Sequence, residues 1–232
     1  MKKLLCLCSL LAVLVLPMGA GAGLIQYEVT VTVGSDEEVF SGEGQADGDG
    51  YFEFVLVPLN TDQTVEKLIL RGNSDPEVGI EFGVRNYGSS ALAIGFLAVA
   101  VTFDPIVDPI AYASAGVTLT DRNVPANGAA ITGLFDGGKV HQARYNGLSV
   151  FANLVSGYAI GGGTVGSVEA KPSSGSEIII GALTSIQSEF RFTLSANDSA
   201  SGTSTFVVIP EPATVGILSI GAVLALLKKQ RR

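Results

Sequence analysis

From Ile25 to Val33 the odd positions carry Ile25, Tyr27, Val29, Val31 and Val33, while the even ones carry Gln26, Glu28, Thr30 and Thr32. An apolar side chain at every second position puts one face of an extended strand on a core and the other in solvent. Phe52, Phe54 and Leu56 alternate with Glu53 and Val55, and Phe190, Phe192 and Leu194 with Glu189, Arg191 and Thr193. Turn-forming clusters stand between such segments: Gly34-Ser35-Asp36, Asp47-Gly48-Asp49-Gly50, Gly72 to Pro76, Asn127-Gly128, Asp136-Gly137-Gly138, Asn146-Gly147 and Ala196 to Ser199. Strands punctuated by Gly and Asx turns predict an all-β fold, a single antiparallel β-sandwich-like domain over residues 23–209. The longest apolar run of this body, Ala91 to Val101, is too short to span a bilayer and contains Gly95. It reads as a strand buried on both faces, stopped by Asp104-Pro105 and Asp108-Pro109. A last hairpin is expected from Ser185–Ser195 and Gly202–Ile209, running almost directly into Pro210.

The two ends follow different rules. Residues 1–22 begin with Lys2 and Lys3, run apolar from Leu4 to Leu16 apart from Ser9, then break at Pro17 and turn small. That order predicts a secretory signal peptide, with Ala20 and Ala22 as the signal peptidase recognition positions and cleavage before Gly23. At the other end, Pro210-Glu211-Pro212 precedes Ala213 to Leu227, which carries no charge, and then Lys228-Lys229-Gln230-Arg231-Arg232. Fifteen helical residues rise about 22 Å, less than the roughly 30 Å hydrocarbon core, so 213–227 predicts a short transmembrane helix. The basic residues Lys228, Lys229, Arg231 and Arg232 hold the tail on the cytoplasmic side and leave the body outside.

This three-part tail, residues 210–232, resembles the PEP-CTERM sorting signal of secreted bacterial proteins: the Pro210-Glu211-Pro212 motif, a short apolar helix and a basic finish. The resemblance implies a precursor anchored in the inner membrane, recognised by an exosortase, and delivered to the cell surface or the extracellular matrix.

Charge supports an exported body and excludes some partners. The chain has 14 Lys and Arg against 22 Asp and Glu. Six of those 14 lie at the extreme ends, so between Gly23 and Ile209 the remaining 8 face 21 acidic residues, a net of −13. Such a body is a poor partner for nucleic acid. Both cysteines, Cys6 and Cys8, belong to the signal segment, so no disulfide or thiolate chemistry is expected in the body.

Candidate chemistry in the body is sparse. Asp47-Gly48-Asp49-Gly50 has the alternating carboxylates of a calcium loop, but alignment on Gly50 puts Leu56 where the closing acid should stand. It reads as a hairpin turn between strands at Glu43 and Phe52, with Asp36, Glu37 and Glu38 as further oxygen donors if the hairpins align. Gly161 to Gly166 satisfies G-x-G-x-x-G, yet Pro172 stops any helix that would face a pyrophosphate, and a Gly-rich loop is expected. His141, the only histidine, is placed in a strand with its ring at the surface, with no G-x-S-x-G elbow to accompany it. Thr30-Val31-Thr32 is a single T-x-T, which strand propensity explains without an ice-binding array. No catalytic residue, metal site or cofactor is predicted. Two functions follow: a non-enzymatic structural or adhesive protein of the surface or polysaccharide matrix, or a secreted carbohydrate-binding module or hydrolase delivered by the same tail. A concave groove gathering Tyr51, Tyr87 or Tyr158 beside paired carboxylates would favour the second, and a smooth polar surface the first.

Overall fold

The computed structural model describes residues 24–45, 51–56, 64–73, 76–98, 101–173 and 176–209. In chain order the strands are β1 (Leu24–Val33), β2 (Asp36–Gln45), β3 (Tyr51–Leu56), β4 (Val65–Asn73), β5 (Glu77–Arg85), β6 (Leu92–Ala98), β7 (Val101–Val107) and β8 (Ile110–Thr120). They continue as β9 (Ala129–Gly133), β10 (Lys139–Tyr145), β11 (Ser149–Ser156), β12 (Tyr158–Ile160), β13 (Thr164–Lys171), β14 (Glu177–Ile178), β15 (Ala182–Leu194) and β16 (Ser199–Ile209). A 3-10 turn, Asp136–Gly138, is the one helical element among the described residues.

All pairings are antiparallel, and the strands form two sheets. Sheet A runs β11-β10-β15-β6-β1-β2, with β7 and β9 on β15 and β12 on β9; sheet B runs β13-β8-β16-β5-β4-β3, with β14 on β8. The sheets face one another across a single apolar core, the arrangement of a β-sandwich. Alternation built this core as expected: Val29, Val31, Phe52, Phe190, Phe192 and Leu194 are all buried. Strand β8 is the most regular case, with Ala111, Ala113, Ala115, Val117 and Leu119 inward and every intervening residue partly exposed.

Phe82 joins the layers. From β5 in sheet B its ring reaches Phe96, Phe190 and Phe192 of sheet A at centroid distances of 5.0, 4.9 and 5.5 Å. Edge-on and offset contacts at these distances add to the burial of the rings. Next to it Gly202 is required by space: a Cβ there would stand 2.6 Å from the Phe82 ring and 2.9 Å from the Gly116 carbonyl. Phe151 stacks on Phe206 at 5.2 Å farther along the same interface.

Three expectations are corrected by the topology. Ser185–Ser195 and Gly202–Ile209 do form strands, but not a hairpin. β15 is flanked by β6 and β7 on one edge and by β10 and β9 on the other, while β16 lies between β8 and β5, so neither has a free edge for its neighbour in sequence. Likewise β2 belongs to sheet A and β3 to sheet B, so the segment across Asp47 to Gly50 joins layers rather than paired strands; residues 46–50 themselves lie outside the described ones. Finally, the run from Ala91 does not stop at Asp104-Pro105. β6 and β7 succeed each other along one edge of β15, and β7 continues to Val107.

Strand direction fixes where the chain enters and leaves. β1 runs toward the end of the sandwich that holds Leu92, Leu194 and Ser199, and β16 runs away from it. Leu24 and Ile209 therefore lie toward the same, opposite end.

Candidate binding surface

The predicted sorting residues, Ala20, Ala22, Pro210, Glu211, Pro212, Lys228, Lys229, Arg231 and Arg232, lie outside the described residues, as does the segment 213–227. Among the described residues no helix is long and apolar enough to cross a membrane, and no group of three or more His, Cys, Asp or Glu is placed to hold a metal.

His141 is not at the surface. It is fully buried in the core, against the Phe190 ring at 4.8 Å. Its Nε2 lies 2.9 Å from Ser188 Oγ, Ser188 Oγ lies 2.8 Å from Ser204 Oγ, and Ser204 Oγ accepts a hydrogen bond from the Ile80 backbone N–H at 3.3 Å. A polar thread thus crosses the core from β10 through β15 to β16 and β5. The misplacement has a simple origin, since His141 sits on the inward parity of β10 with Ala143, and one polar residue does not reveal its parity. Burial pushes the imidazole down to about 3, so it is neutral in the folded protein. A serine hydroxyl beside a histidine is the beginning of a catalytic triad, but the other ring nitrogen, Nδ1, has no hydrogen-bond partner among the described residues. With His141, Ser188 and Ser204 all buried and no carboxylate on Nδ1 among the described residues, the thread packs as part of the core.

The three tyrosines are not gathered. Tyr158 donates its hydroxyl proton toward the Val117 and Val165 carbonyls, both at 2.9 Å. Tyr87 is exposed beneath the Arg85 guanidinium at 4.6 Å. Tyr51 pairs with Asn73 at the opposite end of sheet B from Tyr87. Gly161 to Gly163 form a bend before β13, and no helix follows. The bend is the Gly-rich loop expected there.

The feature with recognisable chemistry is on the outer face of sheet A. Facing solvent there, Asn153, Gln142, Arg144, Glu189 and Arg191 form a connected ladder across β11, β10 and β15. Gln142 donates to Asn153 at 2.8 Å, Arg144 donates to both Gln142 and Glu189, and Arg191 lies 3.7 Å from the other Glu189 oxygen. Only 7% of the Glu189 side chain remains exposed between its two arginines. Burial and the nearby Arg191 charge lower the Arg144 pKa from its ordinary value. Beside the ladder opens a groove of about 340 Å³, lined by Thr30, Thr32, Glu37, Leu97, Leu134 and Arg191 among others. Gly95 makes its floor, between Thr32 and Arg191 in the pairing register. Arg191, half exposed, offers guanidinium donors; Thr30 and Thr32 offer hydroxyls; Glu37 offers an exposed carboxylate. Planar charged groups beside hydroxyls and an apolar edge suit a hydroxylated ligand held by several weak hydrogen bonds. The sequence marked Thr30 and Thr32 as outward-facing, but not Glu189 and Arg191 as one unit with Gln142 and Arg144, which only strand register aligns.

The outer face of sheet B differs. Ser114, Thr118 and Thr120 of β8 stand opposite Thr205, Ser201 and Ser199 of β16, and Thr120 and Thr164 share a hydrogen bond of 3.0 Å. More hydroxyls therefore share a face than the single T-x-T suggested. Farther across, Glu81 lies between Lys67 and Arg71, which hold its carboxyl below the usual range. Six of the eight basic residues of the body are in ion pairs, Arg85 covers Tyr87, and Arg122 bonds to Ser199. With Arg191 paired to Glu189 as the sixth, the charge that remains after these pairs is net acidic.

No protein-family model matches the chain, and no curated protein is similar to it. Among solved structures it is similar to a chain in the structure of the Gx strain of infectious bursal disease virus, at 12% identity and a TM-score of 0.24. That match covers 85% of this chain and 54% of the other, so the chain spans about half the length of its neighbour. At such a TM-score the likeness bears on neither fold nor function.

Proposed function

We propose that the protein is an exported, exosortase-processed component of the cell surface or extracellular matrix, whose β body acts without catalysis as a structural or adhesive module. The observation that carries this reading is the sequence that follows Ile209, the last residue of β16: Pro210-Glu211-Pro212, fifteen uncharged residues and a basic finish. Strand direction is in keeping with it, because β16, the strand that leads into the tail, runs to one end of the sandwich and leaves the body tethered there. Signal peptidase acts at Ala20 and Ala22, the segment 213–227 holds the precursor in the inner membrane, and exosortase acts near Pro210 to Pro212. A non-catalytic body is supported by the burial of its only histidine and the engagement of its basic side chains.

The C-terminus of the protein purified from its host, measured by mass spectrometry alongside cell fractionation, tests the reading. A terminus near Pro210 to Pro212 in the surface or secreted fraction is expected. An intact tail ending at Arg232 in the inner membrane would overturn it.

The groove on sheet A favours a second reading, a carbohydrate-binding module delivered by the same tail. A panel of polysaccharides, with and without calcium, separates the two. Saturable binding lost on Arg191→Ala supports the module, and absence of saturable binding leaves the structural role.

A further inference from the structure

The end of the sandwich from which β16 leaves carries large aliphatic side chains at its surface. Val107, Leu148, Ile178, Ile180 and Ile209 are all exposed there, Ile180 to 91% and Leu148 to 89%. Their placement follows from backbone ties. Ile209 of β16 stands opposite Ile110 of β8, which stands opposite Ile178 of β14, so the three isoleucines share one row at the edge of sheet B. Val107 faces Ala182 across β7 and β15. Asp108 and Gly181 clasp one another: the Asp108 N–H donates to the Gly181 carbonyl at 3.0 Å, and the Gly181 N–H to the Asp108 carboxylate at 2.6 Å. The Ile179 N–H donates to the Pro109 carbonyl at 2.9 Å, and Ile179 is itself buried. Ile180 is therefore held outward by a pinned loop, with Gly181 at φ +99° completing the turn. The turn bearing Leu148 is fixed to the same region, because Asn146 donates to the Ala182 carbonyl and accepts from the Thr184 N–H, both at 2.9 Å.

Large aliphatic side chains fixed in solvent gain nothing from the fold, and clustering of this kind marks a contact surface. What lies next to it is set by the chain. Four backbone steps separate Ile209 from Ala213, a reach of at most about 14 Å. With 213–227 in a bilayer, this end of the body cannot leave the interfacial layer.

We propose that Val107, Leu148, Ile178, Ile180 and Ile209 form a lipid-contacting rim that seats the body on the bilayer surface before the tail is processed. The proposal rests on the reading of 213–227 as a membrane segment. The neighbouring Asp104, Asp108 and Glu177 are exposed, so the rim suits neutral, zwitterionic headgroups rather than an anionic surface. Seating there would also fix the height of Pro210 to Pro212 above the membrane.

The test uses residues 23–232, the tail-bearing precursor after signal cleavage, which hold no cysteine, reconstituted in phosphatidylcholine vesicles that contain nitroxide-labelled phosphatidylcholine. Single cysteines carry a fluorophore at Ile180, at Val124 and at Val223. Val124 is 97% exposed and follows β8 at the opposite end of the sandwich, so it serves as an equally apolar control. Quenching at Val223, with quenching at Ile180 several-fold greater than at Val124 and falling several-fold when Val107, Leu148 and Ile178 are replaced by Ser, is the expected result. Quenching at Val223 with a value at Ile180 that those Ser substitutions leave unchanged, or that is as low as at Val124, overturns the rim and leaves the membrane segment standing. No quenching at Val223 removes the membrane segment, and the rim with it.

Discussion

The two ends of the sandwich are built on opposite principles. At the end away from Ile209, three loops are tied by buried polar side chains. Asp198, 1% exposed, accepts from the Arg122 N–H at 3.2 Å, from Asn123 Nδ2 at 3.0 Å and from the Ser195 hydroxyl. Asn86, also 1% exposed, donates toward the carbonyls of Ser90, Leu194 and Ser195 and accepts from the Gly88 N–H. This knot fastens the crossing from β15 to β16, where the chain passes between sheets without a ladder to guide it. At the Ile209 end the ties run through backbone bonds and the exposed side chains of Asp108 and Asn146, and the aliphatic side chains are left in solvent. One end buries its polar ties; the other keeps them at the surface and presents its aliphatic side chains outward. Stability should therefore depend strongly on the buried polar residues at the first end and hardly at all on the aliphatic residues at the second.

Asp198→Ala is the sharpest way to break that contrast. It leaves the Arg122 N–H without its acceptor and takes one acceptor each from the Asn123 amide, which keeps Asp121, and the Ser195 hydroxyl, which keeps the Ala130 carbonyl, and should cost about 2 to 4 kcal/mol in chemical denaturation. A loss no larger than that of a surface substitution would show that the knot is ornamental. Asn86→Ala strips one side chain from three carbonyls and should cost about 1 to 3 kcal/mol by the same measurement.

Acid probes the region between the ends. His141 has a folded pKa of about 3 against an ordinary 6.5, so between these values the unfolded chain takes up the proton and the folded one does not. Its contribution is complete above pH 6.5 and falls by about 1.4 kcal/mol per pH unit toward pH 3. His141→Phe should remove that slope from the difference between variant and native stability curves, while Ser188 and Ser204 keep each other as partners. At the knotted end the Asp121 carboxylate accepts from the Asn123 and Gly128 N–H groups, which lower its pKa. That stabilisation is present above the ordinary carboxylate pKa and is lost as pH falls through the lowered value. Amide exchange in residues 121–128 should therefore rise at acid pH before exchange at the Ile209 end does.

The smallest effect is the most diagnostic for the exposed end. Ile180→Ser with Leu148→Ser should change stability by no more than about 0.5 kcal/mol in aqueous buffer, since neither side chain is buried. A loss of several kcal/mol would mean that these residues pack in the folded protein and are not free to meet lipid.

How much could be read in advance divides along the range of the interactions. The alternations around Val29, Phe52 and Phe190 announced their strands and inward faces because parity in a strand is local. Gly34-Ser35 announced its turn for the same reason: Val33 faces Asp36 across two residues, and Gly34 takes φ +63° without a side chain to clash. His141 was misplaced because one polar residue between apolar ones carries no sign of which parity it keeps. Glu189 was legible as outward-facing, but not as nearly covered, because its cover comes from Arg144 and Arg191 once β10 and β15 are in register.

By itself the sequence determined that the body is made of antiparallel strands, which side of β1, β3 and β15 faces inward, and that it carries an acidic surface between two apolar end segments. These follow from side-chain period, backbone preference and charge, all of which act within a few residues. Only the tertiary structure decided which strands pair, that neighbours such as β15 and β16 lie in different sheets, that a histidine threads the core, and that five exposed aliphatic residues far apart in the chain lie toward one end. Those outcomes depend on competition for sheet edges and core space among segments far apart in the chain, and no local pattern records who wins it.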